Sequence, residues 1–313
     1  MIQTKASNFA WQIGINDFKA SNGWMHRFAK RNSLKMHHLH GEASSADQST
    51  MEADIDRIAS TIERYDKENI FNFDETALFF KAAPRSTIAK KGFAGWKEQK
   101  KRITVGLLCN ADGSIKWEPL IIGHAKRPDA FKINGKPRDA TDHGFNFYYH
   151  NSNAWMTKRI FHTFIRRFDR AMKARQRKVL LLLDNFNGHM IDYQPTNVEI
   201  LFLPPNTTSY LQPLDGGIIR AFKAHFKRRQ MDRAYRYIGM TFIGHQDKVG
   251  AVKDIFDVDQ LQAMKWTKNA WKSVSQETIQ HCWEATIYRS INKHKGVDLT
   301  GKKFHYVRCC SKN

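Results

Sequence analysis

Five consecutive apolar residues, Val179-Leu180-Leu181-Leu182-Leu183, stand between Lys178 and Asp184 and constrain the fold of this chain more than any other feature. The run is too short for an ordinary helix and lacks the alternation of a strand with one wet face, so it reads as a strand covered on both sides. A helix-period segment at 155–175 precedes it and a further β-prone run, 198–203, follows. Strand, helix and strand in that arrangement belong to a mixed or parallel sheet flanked by helices, an α/β fold.

Upstream, the runs at 70–74, 103–109, 118–123 and 145–149 have the length and β-branched or aromatic content of successive strands. Asn110-Ala111-Asp112-Gly113 supplies residues that tolerate positive φ and predicts a hairpin between two of them. Pro204-Pro205 stops the last strand, and a basic amphipathic helix is predicted over 216–236. Nearer the start, Phe18, Trp24, Met25 and Phe28 suit a helix within 17–31, capped by Ser21 or Asn22. Residues 41–50 read as a linker before a polar helix at 51–67, which places a domain boundary near residue 45.

Two of the strands are predicted to end in a carboxylate: Asp74 closes IFNFD and Asp184 closes VLLLL. Either acid alone could be a solvated loop residue, but parallel strands bring their C-terminal ends together, and α/β sites form there. Asp215, in TSYLQPLDGG, lies at the start of the basic helix, where a capping role is the simpler alternative. Three carboxylates with little else suit Mg²⁺ or Mn²⁺, hard cations that take oxygen ligands and leave positions for water and phosphate. Two such ions, about 3.5–4 Å apart, serve in-line displacement at phosphorus without a protein nucleophile. Glu75 and His189 are candidate supporting groups behind the ligands. The sequence has no glycine-rich phosphate loop with lysine, no G-x-S-x-G and no H-E-x-x-H.

Charge points the same way. Lys and Arg number 51 against 30 Asp and Glu, a formal charge of +21, which fits a polyanionic partner, nucleic acid foremost; a solvated cationic surface is the alternative. Lys223, Lys227, Arg228, Arg229, Arg233 and Arg236 form a basic run suited to phosphate contacts on double-stranded DNA. Cys109, Cys282, Cys309 and Cys310 have no zinc-finger spacing, so reduced thiols are expected. No stretch approaches the roughly 18 apolar residues of a membrane span, and a soluble intracellular protein without a membrane partner is expected.

The motifs NFDETALFF (72–80), KRITVGLLCNADGSIKWEPLIIG (101–123), YHNSNAWM (149–156), LLLDNFNGH (181–189) and LPPNTTSYLQPLDGGII (203–219) occur in this order. In these residues the chain resembles the DDE endonucleases of the pogo/Tigger transposases, a family that includes jerky-like and centromere-protein-B-like members. The resemblance implies a ribonuclease H-like fold with Asp74, Asp184 and Asp215 as catalytic metal ligands, and the 30 residues between the last two suit the group. It implies a metal-dependent DNA endonuclease and strand transferase acting in the nucleus as a homodimer or higher multimer. The alternative is a domesticated or defective transposase-derived DNA-binding protein. Residues 18–44 resemble the end of the helix-turn-helix of centromere protein B, which adds Arg27, Lys30 and Arg31 as DNA-binding candidates. Relatives usually carry further helices ahead of this point, so an N-terminally truncated helix-turn-helix is expected. The domains expected are 1–45 for DNA binding, 46–240 for the endonuclease and 241–313 for a helical tail, whose Trp271, Val274, Ile279, Trp283 and Ile287 are spaced for core packing.

Overall fold

A computed structural model describes residues 2–32, 48–82, 101–205, 207–244 and 256–296. Most of the expected linker and two of the four cysteines, Cys309 and Cys310, lie outside the described residues. The chain divides into two compact units, Met1–Ser45 and Ala46–Asn313. The second runs through position 240 without division.

The first unit contains helices α1 (Ile2–Gln12), which the sequence reading did not anticipate, and α2 (Asn22–Arg31). α2 begins at 22, as the expected Ser21 cap requires: the Ser21 side chain accepts the Trp24 N–H and sets the start of the helix. Trp24 stacks on Phe28 at 5.0 Å and meets Phe18 edge-on at 5.2 Å, so one aromatic cluster ties the helix to the turn before it. Arg27, Lys30 and Arg31 are exposed.

The second unit is built on six strands: β1 (Ile70–Leu78), β2 (Ile103–Asn110), β3 (Leu120–Gly123), β4 (Tyr148–His150), β5 (Val179–Leu183) and β6 (Val198–Phe202), in the order β4-β3-β2-β1-β5-β6. β1, β2 and β3 form an antiparallel meander, while β5 runs parallel to β1 and β6 parallel to β5. The predicted hairpin joins β2 to β3, with Gly113 at φ 70 in its tip. β1 does not stop at Asp74. It continues to Leu78 because Glu75, Thr76, Ala77 and Leu78 go on pairing with β2, so Asp74 is an interior strand residue.

Side-chain parity along the strands sorts the core into two layers. Phe71, Phe73, Val179, Leu181 and Leu183 pack against Ile160, Phe161, Phe164, Ile165, Phe168 and Met172 of α4 (Lys158–Ala174). α4 starts at 158, three residues later than predicted, where the Thr157 side chain caps it by accepting the Ile160 N–H. Ile70, Leu180 and Leu182 face the other way, toward α3 (Gln48–Ile62) and the long helix α5 (Ile219–Gly244). That layer also holds α6 (Gln260–Ser273) and α7 (Gln276–Trp283). Trp271, Val274, Ile279, Trp283 and Ile287 are all buried there, in the core role their spacing predicted. Lys116, in the hairpin, donates to the carbonyls of Trp271, Lys272 and Val274 at 3.1, 2.9 and 2.5 Å and so closes the C-terminus of α6. No described helix is long and apolar enough to cross a membrane.

Candidate metal centre

The sheet register places the first two acids. β1 pairs with β5 through Asn72 opposite Leu182; two residues further on each strand come Asp74 and Asp184. They therefore stand side by side just beyond the parallel pairing, about one strand spacing of roughly 4.8 Å apart and on the same face. That face is the one covered by α5, from whose N-terminal side Asp215 approaches.

Asp215 is not a helix cap. It lies in a π-turn, Leu214–Ile218, that leads into α5, and no side chain caps that turn. Gly216 and Gly217 make the turn feasible. A Cβ on Gly216 would lie 2.4 Å from the Thr286 methyl, and Gly217 has φ 150, which L residues rarely adopt. The segment is fixed to the strands by a fully buried amide. Asn72 donates from Nδ2 to Leu182 O at 3.1 Å and to Gln212 Oε1 at 2.9 Å, and its Oδ1 accepts the Leu214 N–H at 3.0 Å. One residue of β1 thus ties β5 and the turn carrying the third acid to the strand carrying the first. Sequence reasoning missed Asn72 and Gln212, although both lie within the quoted motifs; polar residues among apolar ones are the available signal.

The electrostatics show that the acids crowd one another. Asp74 is buried, and desolvation, followed by the charges of Asp215, Glu75 and Asp184, holds its pKa well above the carboxylate range; the Glu75 N–H, 2.7 Å from Oδ1, opposes this weakly. Asp215, at the solvent edge, is raised by partial burial and by Asp184, while a hydrogen bond with Asp74 lowers it, as in a proton-sharing acid pair. Lys223, one of the residues assigned to DNA, lies near enough for Asp215 and Asp74 to oppose the burial that lowers its pKa.

His189 stands behind the acids, fully buried, with Nε2 3.0 Å from Glu75 Oε1 and Nδ1 2.7 Å from Asp184 Oδ1. The second contact is an ion pair rather than an aligned hydrogen bond, since neither atom has a partner of good hydrogen-bond geometry. Burial disfavours the imidazolium, but the contacts with Asp184 and Glu75 and their charges outweigh it and lift the pKa to about 10. Phe161 and Phe186 close over the ring at 4.6 and 5.3 Å.

The donor set is wholly oxygen and its negative charge is only partly compensated, which fits a hard divalent cation. Among the described residues, no three His, Cys, Asp or Glu side chains converge into a ready cage. The acids are neighbours brought to one sheet end.

The remaining basic candidates divide by environment. Arg228 and Arg236 are exposed. Lys227 is turned inward, donating to Ala82 O at 2.8 Å and Gln230 Oε1 at 3.0 Å, and Arg229 reaches α6 at Asn269 O and Ser273 Oγ. Arg233 is half-buried.

A six-stranded mixed sheet layered by helices, with three acids at one end, defines a ribonuclease H-like architecture. It is similar to the crystal structure of the Mos1 strand transfer complex, with a TM-score of 0.50 and 11% identity over 92% of this chain and 71% of that one. Residues 100–283 match the DDE superfamily endonuclease family, and residues 1–38 match the Tc5 transposase DNA-binding domain. The chain belongs to the DDE superfamily endonucleases, within the pogo/Tigger transposase group. CENP-B homolog protein 2 of Schizosaccharomyces pombe is 33% identical over 83% of this chain and 49% of its own length. Tigger transposable element-derived protein 4 of Mus musculus is 31% identical over 93% of this chain and 53% of its own. The chain thus spans about half the length of these curated relatives.

Proposed function

We propose that this chain is a metal-dependent DNA endonuclease and strand transferase of the transposase type, with Asp74, Asp184 and Asp215 as its metal ligands. The observation that carries this reading is the juxtaposition of the three acids by strand register and by the Asn72 clamp. Mg²⁺ or Mn²⁺, as two ions, would supply activation of a water or 3′-hydroxyl and charge neutralisation at the leaving oxygen. Asp74, the least exposed ligand, is held rigidly in the strand. Asp184 keeps Oδ1 toward His189 and offers Oδ2. Asp215 is held on a turn at the solvent edge, where the scissile phosphodiester enters. His189 offsets part of the negative charge behind the ligands and orients Asp184 and Glu75. Lys223 and the exposed Arg228 face the phosphate backbone of duplex DNA, with Arg27, Lys30 and Arg31 contributing from the N-terminal unit. The expected setting is the nucleus, with a homomultimer acting on two DNA ends.

A second reading, DNA binding without cleavage, is favoured by the match of residues 1–38 to the Tc5 transposase DNA-binding domain, which offers a DNA-binding role that does not need the acids. Mn²⁺-dependent nicking of supercoiled duplex DNA separates the two. The wild type should nick, while Asp184→Asn and Asp215→Asn should not, with folding and duplex affinity retained. Salt-sensitive binding by all three proteins without cleavage by the wild type would establish the second reading instead.

A further inference from the structure

α4 is basic on its outer face for its whole length. Arg159, Arg166, Arg170 and Lys173 are all exposed and, at 100° per residue, fall within about 60° of arc, forming a ridge roughly 21 Å long. The opposite face carries the phenylalanines buried against the sheet. Among the described residues, none of these four cations has a carboxylate partner. Several exposed cations elsewhere in the same unit are paired, as Arg64 is with Glu199, Lys67 with Glu284 and Arg127 with Asp139. The acids on or beside α4 are already engaged. Asp169 is buried and accepts the backbone N–H groups of Thr196 and Asn197, and Asp192 meets His162 at 3.1 Å. The Arg166 guanidinium lies over the Tyr193 ring at 5.1 Å, and the same ring stacks on His162 at 4.9 Å, so part of the ridge is ordered in advance.

The ridge begins at the acid end of the sheet. Lys158, Arg159 and His162 share a cleft with Met190, Ile191 and Asp192, just past His189, and the Phe161 ring packs on the His189 ring. From there α4 leads away from the acids. An unpaired cationic ridge continuous with a phosphodiester-cutting site is complementary to the backbone of the substrate itself. We propose that Arg159, Arg166, Arg170 and Lys173 hold the phosphates of the duplex whose scissile bond lies at Asp74, Asp184 and Asp215, on the flank away from the cut. This rests on the endonuclease reading above. The contact is with phosphate, so it adds affinity without sequence preference.

The test uses the full chain, a labelled 30-base-pair duplex of arbitrary sequence and fluorescence anisotropy across a salt series, with plasmid nicking run in parallel. Arg166→Gln/Arg170→Gln should lower the slope of log affinity against log salt by about 2, and lower affinity near 0.1 M salt by up to about 60-fold, because each lost phosphate contact removes about 0.9 from the slope. Lys67→Gln/Lys295→Gln, whose charges are paired, should leave the slope within about half a unit. Should the first pair fold poorly, Arg170→Gln/Lys173→Gln carries the same expectation. An unchanged slope in variants at a wild type that binds and nicks overturns the ridge and leaves the endonuclease reading standing. A wild type with no salt-sensitive duplex binding overturns both. An equal loss on a single-stranded 30-mer overturns the assignment to duplex.

Discussion

Replacing Asn72 by alanine should damage both stability and the proposed metal centre. Asn72, Gln212 and Leu214 are each fully buried, so the Leu214 N–H and the Gln212 Oε1 that lose Asn72 have no water to replace it. Leaving a buried polar group unsatisfied costs about 1–3 kcal/mol, and two such groups plus a small cavity give roughly 3–5 kcal/mol. For a unit of this size that is a fall in Tm of about 6–15 °C. The assay is thermal unfolding of the full chain with and without Mn²⁺. In the wild type, saturating a metal site at about 100 times its Kd should add about 2.7 kcal/mol, and in Asn72→Ala this increment should shrink because the turn bearing Asp215 is no longer tied to β1. Asn72→Asp keeps an acceptor for Leu214 but loses the donors and places a charge two residues from Asp74, so it should be no better than alanine. Asn146→Ala, which gives up an exposed contact with Glu118, serves as the control and should cost under about 1 kcal/mol. A loss below about 1 kcal/mol for Asn72→Ala, with the Mn²⁺ increment intact, would refute the clamp.

Arg229→Ala should cost about 1–2 kcal/mol through its lost contacts to α6 and leave the DNA salt slope unchanged, whereas Arg228→Ala should lower the slope by about 0.9 at little cost in Tm; a reversed pattern would misplace the two residues. Lys116→Met removes a cation from three carbonyls at the end of α6 and should cost about 2 kcal/mol by chemical denaturation. Burial pushes the Cys109 thiol up to about 12, and burial with the Glu199 bond does the same for the Tyr65 hydroxyl. Both groups hold their protons more tightly when folded, so their contribution is complete below the unfolded pKa values near 9 and 10 and declines as pH rises toward 12. Stability followed across that range should fall, and at pH 8 Cys109 should resist alkylation until the chain is unfolded, as read by mass spectrometry.

Much of this architecture was legible because its signals are local. Five uninterrupted apolar residues gave β5, the Asn-Ala-Asp-Gly turn gave the hairpin, and the acids could be picked out by their places beside apolar runs. The misjudged end of β1 has a physical cause: Glu75 and Thr76 interrupt the apolar pattern, yet pairing with β2 holds them in the strand. The two-layer clamp of Asn72 and Gln212 was not legible, since 140 residues separate its partners and nothing local announces a hydrogen bond across the sheet. Nor was the division of the basic helix, where Lys227 and Arg229 resemble their neighbours in sequence and differ only in what packs beside them.

The π-turn at Asp215 is moulded against α7 and the segment after it, with Thr286 seated on Gly216 and the Cys282 sulfur 3.0 Å from where a Cβ on Gly217 would be. A gene fragment that ended after α5 would therefore encode all three acids without encoding their arrangement. The arrangement of the three acids thus depends on residues up to some seventy positions downstream of the last of them.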